Sequence, residues 1–246
     1  MKLLKTAASV CAQNLRKWQT DQRVWVIGVL LAIMVWIYVD DMRTLSMELG
    51  GDMPIRIFPF IFQQFHTKLI YTLPLVLLFC NAPFTDQNQI FVYMRTGRAK
   101  WLCGQVLYFI TASAFYYLFI LGISLLSTII SGGSSISEWG STLKTLANSN
   151  AAQFLQHPFI EVSNTVVKFF TPLQAVWFTF LLSWINAVNI GLIIFLFNLV
   201  SGSRFLGILL SSAVIVFSAV TDDYVLPKAL PYSPVSWITL NNIDVG

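Results

Sequence analysis

Charge is the scarcest property of this chain. Only 11% of its 246 residues are Asp, Glu, Lys or Arg, while 56% are apolar. A soluble domain carries roughly 25% charged residues, so composition excludes an ordinary water-soluble globule. Reactive residues are scarce too. The three cysteines, Cys11, Cys80 and Cys103, are an odd count without metal-type spacing, which argues against a disulfide framework or a zinc site. The two histidines, His66 and His157, lie far apart in sequence. No H-E-x-x-H, G-x-S-x-G or G-x-x-x-x-G-K-[ST] occurs, and TGRAK at 96–100 resembles a phosphate loop only superficially. The chain has no catalytic motif of its own, no cofactor is expected on it, and nothing makes a case for nucleic-acid binding.

What is present is long apolar sequence. Five runs, 24–39, 57–80, 101–130, 172–200 and 205–220, read as helices able to cross about 30 Å of hydrocarbon. The fold expected is all-α, a polytopic helical membrane protein forming one transmembrane domain over 1–246. None of the five runs contains Asp or Glu. Ion-coupled carriers commonly place carboxylates within the bilayer, so this lowers the expectation of proton-driven transport.

Residues 1–23 are basic but lack the uninterrupted apolar stretch and cleavage site of a secretory signal. Leu4, Ala8, Cys11, Leu15 and Trp18 recur at helical spacing, predicting an interfacial amphipathic helix. With a cytoplasmic N-terminus, Lys2, Lys5, Arg16, Lys17, Arg23, Arg95, Arg98, Lys100 and Arg204 all lie inside. Of the eleven acids, only Asp21 and Asp86 then join them, and the positive-inside rule selects that orientation. The polar loop 131–171 falls outside; Ile136, Trp139, Leu143 and Leu146 predict a short helix within it, lying on the outer leaflet. The tail after 220 is too polar and proline-broken to cross as one helix, and a sixth span beyond residue 246 is expected.

Polar residues inside the runs are the candidates for a substrate path. Lys68 lies about twelve residues from Cys80, about 18 Å along a helix, with Gln63, Gln64 and His66 beside it. They read either as a polar lining or as a lysine that snorkels outward from a span starting late. Thr179, Ser183, Asn186 and Asn189 form a stripe on the fourth run. It is read first as interhelical hydrogen bonding and second as a cavity lining. Gly207 and Ser211 are a small-xxx-small pair suited to close packing.

The segment between the second and third runs has the grammar of a short helix over 85–97. Asp86 and Gln89 resemble a capping box, Ile90, Phe91 and Met94 make an apolar patch, and Arg95 sits in the last turn. Gly97 is placed to stop the helix in a left-handed conformation, and Arg98 follows. The segment reads as a cytoplasmic docking helix with an apolar face for a soluble partner, the alternative being a basic juxtamembrane turn that merely obeys the positive-inside rule.

The phrase NAPFTDQNQIFVYMRTGRAKWLCGQ, residues 81–105, resembles the coupling-helix region of bacterial ABC-2 type exporter permeases. The layout of the whole chain is similar to that family, except that it has six spans and five are found here. The resemblance implies a type V exporter-like transmembrane domain in a bacterial cytoplasmic membrane. It implies docking of Asp86, Gln89, Ile90, Phe91, Met94, Arg95 and Arg98 onto a separate ATP-binding cassette ATPase, which holds ATP and magnesium. It implies, further, a second permease subunit, identical or not, with the path between the two near their second and fifth spans. A peptide, a drug-like molecule or a lipid-linked molecule is the implied cargo. The alternative is a membrane sensor or regulatory subunit signalling through loop 131–171.

Overall fold

The computed structural model describes residues 2–83, 94, 96–134, 138–149, 151–220 and 235–240. Among these every regular element is helical. The helices are α1 (Lys2–Arg16), α2 (Gln22–Glu48), α3 (Phe65–Phe79), α4 (Arg98–Ile130), α5 (Ser141–Asn148), α6 (Ala151–Phe154), α7 (Asn164–Phe169), α8 (Pro172–Ser201) and α9 (Arg204–Val220). Helices α2, α4 and α8 are long and apolar enough to cross a membrane; α3 and α9 are apolar but shorter. Large side chains such as Trp25, Ile33, Phe115, Phe119, Ile185 and Leu196 face out of the molecule. Meanwhile Gln105, Ser113, Ser183 and Asn186 are buried. An apolar exterior around polar interior positions suits hydrocarbon as the solvent.

The ends of the helices follow local chemistry. Asp21 caps α2 by accepting from Arg23 N. Helix α2 does not stop at the Asp40–Asp41 pair, as the 24–39 boundary implied, but runs two turns further to Glu48. Thr171 and Gln174 form a capping box at the start of α8, and Gly202, at φ 64°, closes its end.

The apolar run 57–80 is not one helix. Residues 57–64 fold as a compact turn with a 3-10 segment at Phe58–Phe60, and α3 begins only at Phe65. Phe58, Phe60, Ile61 and Phe62 are almost fully buried. This turn packs on α4 and α8 and bonds its own backbone, Phe60 N to Ile57 O and Gln63 N to Phe60 O. Non-helical backbone at membrane depth is tolerated when it is enclosed by protein in this way. Pro74 weakens the α3 ladder, and nearby the buried Tyr116 hydroxyl donates to Tyr71 O at 2.7 Å.

Helix α4 is the central post, in contact with α1, α2 and α8. α1 lies against its first turns with Ala7, Val10, Cys11 and Asn14 buried. Cys11, Leu15 and Trp18 of the predicted face pack inward, but Ala8 is exposed and Ala7 takes its place; the side chain of Leu4 lies outside the described residues. Contact with α4, rather than lipid alone, sets the face: Asn14 donates to Gln105 Oε1 and Trp18 Nε1 to Tyr108 Oη.

Loop 131–171 caps the opposite end. Helix α5 buries Leu143 and Leu146 as expected, with Trp139 donating to Phe170 O; Ile136 lies outside the described residues. Ser141 Oγ accepts from Asp52 N and Thr142 Oγ1 donates to Asp52 O, fastening the cap to the chain after α2. Residues 235–240 return to pack on α8, burying Val235, Ile238 and Leu240.

Candidate functional site

At the α1 end, the base of the proposed docking segment is tied to four helices. Asn198 on α8 donates its Nδ2 to Ala82 O at 2.7 Å and accepts from Gly207 N at 2.9 Å. One buried amide thereby joins α8, the chain leaving α3, and the first turn of α9. Gly207 is required there: a Cβ would lie 2.3 Å from Asn198 Oδ1 and 2.6 Å from Ile194 O. The close packing expected of Gly207 is present. Arg204 donates to Asn81 Oδ1 at 3.2 Å, and Arg23 to Cys80 Sγ at 3.2 Å. A polar cavity of about 320 Å³ opens beside this knot, lined by Asn14, Lys17, Asp21, Asn81, Tyr108 and Arg204.

Of the docking segment itself, Asp86, Gln89, Ile90, Phe91 and Arg95 lie outside the described residues. Met94 is helical and 80% exposed, and Arg98 is exposed at the start of α4. Gly97 does break the chain, but as the residue preceding α4, with φ 79° and ψ 157°. That is not the left-handed helical stop expected of it; it is an extended mirror conformation open essentially to glycine alone.

The predicted path residues divide. Gln63 is buried, its Oε1 accepting from Ser163 N, and Lys68 is 2% exposed inside α3. The span starts late, yet the lysine does not snorkel outward. Gln64 is half-buried at the N-cap of α3, and His66 is exposed against the rings of Phe65 and Phe159. Thr179, Ser183 and Asn186 all face inward, whereas Asn189 faces out. Thr179 Oγ1, Ser183 Oγ and both polar atoms of Asn186 have no hydrogen-bond partner. The interhelical hydrogen bonds expected of this stripe are therefore not formed. Each buried group left so costs about 1–3 kcal/mol, which is unusual enough to need a reason. The large cavity of about 940 Å³ is elsewhere, an apolar groove between α2 and α4 beside Trp18.

At the far end, loop 131–171 and α2 meet through a histidine. His157 Nδ1 lies 2.5 Å from Asp41 Oδ1, and its Nε2 lies 3.5 Å from Glu48 Oε2. Sequence reasoning missed this because it ended the helix before Asp41. Once α2 continues, Asp41 and Glu48 fall seven residues apart on one face. Among the described residues no group of three or more His, Cys, Asp or Glu is arranged to hold a metal ion. No family model, curated protein or solved structure matches this chain.

Proposed function

We propose that this chain is the permease subunit of an ATP-driven ABC exporter, with hydrolysis supplied by a separate ATPase subunit and a second permease completing the path. The observation that carries this reading is the Asn198 knot. A docking segment is useful to a transporter only if its displacement moves the transmembrane helices. Here the residues entering the segment, Asn81 and Ala82, are bonded to α8 and the α9 end, and the residue leaving it starts α4. A push on residues 85–97 is then shared by α3, α4, α8 and α9 at once. The exposed Met94 side chain supports an apolar docking face. The basic α1 end supports a cytoplasmic placement of that face.

The test is purification of the full chain in mild detergent from its native membranes, with ATP hydrolysis measured on the eluate. A nucleotide-hydrolysing chain should co-elute, and I90D/F91D/M94D should lower the activity at least tenfold with an unchanged gel-filtration profile. Absence of any such chain, or an unaltered yield with the triple variant, overturns the reading.

A sensor reading is favoured by one observation, the His157 bridge between loop 131–171 and α2. It predicts that loop variants change a downstream response while reconstituted vesicles transport nothing.

A further inference from the structure

Among the buried polar side chains that lack a partner for at least one atom, six lie on α4, α8 and the turn before α3: Ser113 and Tyr117 on α4, Thr179, Ser183 and Asn186 on α8, and Gln63 in the turn. All are between 0% and 7% exposed. Helices α4 and α8 run antiparallel, in a register fixed by three contacts. A Cβ on Gly191 would meet Phe109 Cδ1 at 2.7 Å, Trp184 Nε1 donates to Ile110 O, and Trp101 packs on Phe195. One turn further toward the cap, the same register carries Asn186 to the level of Ser113. The next turn carries Ser183 to the level of Tyr117. Phe62 packs on Tyr117, and Gln63 follows it in the turn, its Oε1 accepting from Ser163 N and its Nε2 left without a partner.

The contrast along α8 is informative. Asn198, twelve residues after Asn186 on the same apolar helix, satisfies both its donor and its acceptor. The sequence thus supplies partners for a buried amide where packing alone is wanted. Over the stretch from Thr179 to Asn186, about 10 Å of helix, it supplies none. Polar groups persist at such depth when they contact something other than the protein, and water or a ligand group is what remains. Hydroxyls and amides, with no carboxylate or ammonium among these six, offer donors and acceptors but no counter-charge.

We propose that the α4–α8 seam is a hydrated binding track that takes water and the uncharged hydroxyl or amide groups of a ligand, and disfavours ions. It does not rest on the ATP-driven reading, since the seam is wet whatever powers the chain.

The test uses the full chain in nanodiscs, carrying Cys103→Ser as background. Ser183→Cys is reacted with a neutral hydroxyethyl methanethiosulfonate and with a cationic trimethylammonium-ethyl analogue, each rate normalised to a free thiol. The expected result is modification by the neutral reagent at least tenfold faster than at Ile185→Cys, which faces out of the molecule. A further tenfold preference for neutral over cationic reagent is expected. Equal rates at 183 and 185 overturn the wet track, and equal rates for both reagents overturn its ligand class. Where Ser183→Cys does not give a monodisperse chain, Thr179→Cys one turn nearer the cap carries the same reading. Loss of co-purifying ATPase would leave these rates unchanged, so the two proposals fail separately.

Discussion

Asn198 and His157 are two polar residues whose worth depends entirely on what they meet. Replacing Asn198 with leucine removes the partner of Ala82 O and of Gly207 N together. Two buried backbone groups left unpaired cost on the order of 2–6 kcal/mol, against about 0.6 kcal/mol for an average interhelical hydrogen bond in a membrane. Asn198→Leu should therefore lower the thermal midpoint in detergent by several degrees. Asn189→Leu, on the outward face of the same helix, should not. His157→Ala leaves Asp41 and Glu48 facing each other without the imidazole between them. Its expected effect is local: faster amide exchange over 151–163, with α5 unchanged because Ser141 and Thr142 hold it to Asp52. Uniform protection of both regions in the variant would show that the bridge carries no weight. Neither His157 nor Asn198 stood out in sequence, because Asp41 and Ala82, each more than a hundred residues away, give no local signal.

At the scale of elements, the α1–α4 junction decides whether the amphipathic helix is a fixed part of the domain. Gly104 faces Val10 so closely that a Cβ would lie 2.7 Å from Val10 Cβ and 3.1 Å from Ala7 O. Glycine to alanine within a helix ordinarily gains about 1 kcal/mol. Against this stiff, β-branched neighbour the overpacking cost of about 1–3 kcal/mol wins. Gly104→Ala should thus loosen α1, read as faster exchange over 5–16, while Gly122→Ala on the same helix, where nothing lies within 4 Å of the added Cβ, should leave it unchanged. A helix held only by lipid would respond to neither change. The amphipathic pattern of α1 was legible, but which residue led the buried stripe was not. Only the position of Gly104 on another helix turns the face from Ala8 to Ala7. The same limit explains the 57–80 run. Apolar content says that it is enclosed, while the burial of Phe58–Phe62 against α4 and α8 decides that its first eight residues need not be helical.

For the whole molecule, the two ends differ in kind. At the α1 end, hydrogen bonds knit helix termini to the base of segment 85–97; at the other, a loop cap is fastened to α2 and to the turn before α3. Between them runs the unpartnered α4–α8 seam. A cycle that opens and closes this seam while the knot transmits force is the expectation that joins the proposals. It predicts that Asn198→Leu uncouples ATP hydrolysis from transport in reconstituted vesicles, leaving hydrolysis on and cargo uptake reduced at least fivefold. The amino-acid sequence by itself determined the helical class, the apolar exterior and the separation of basic from acidic ends. Those follow from composition, from 3.6-residue periodicity and from the cost of charge in hydrocarbon, all local to a segment. Only the tertiary structure decided which polar side chains are satisfied. Asn186 and Asn198 are the same residue on the same helix, and their difference is set by what the register of α3, α4 and α9 brings within 3 Å of each.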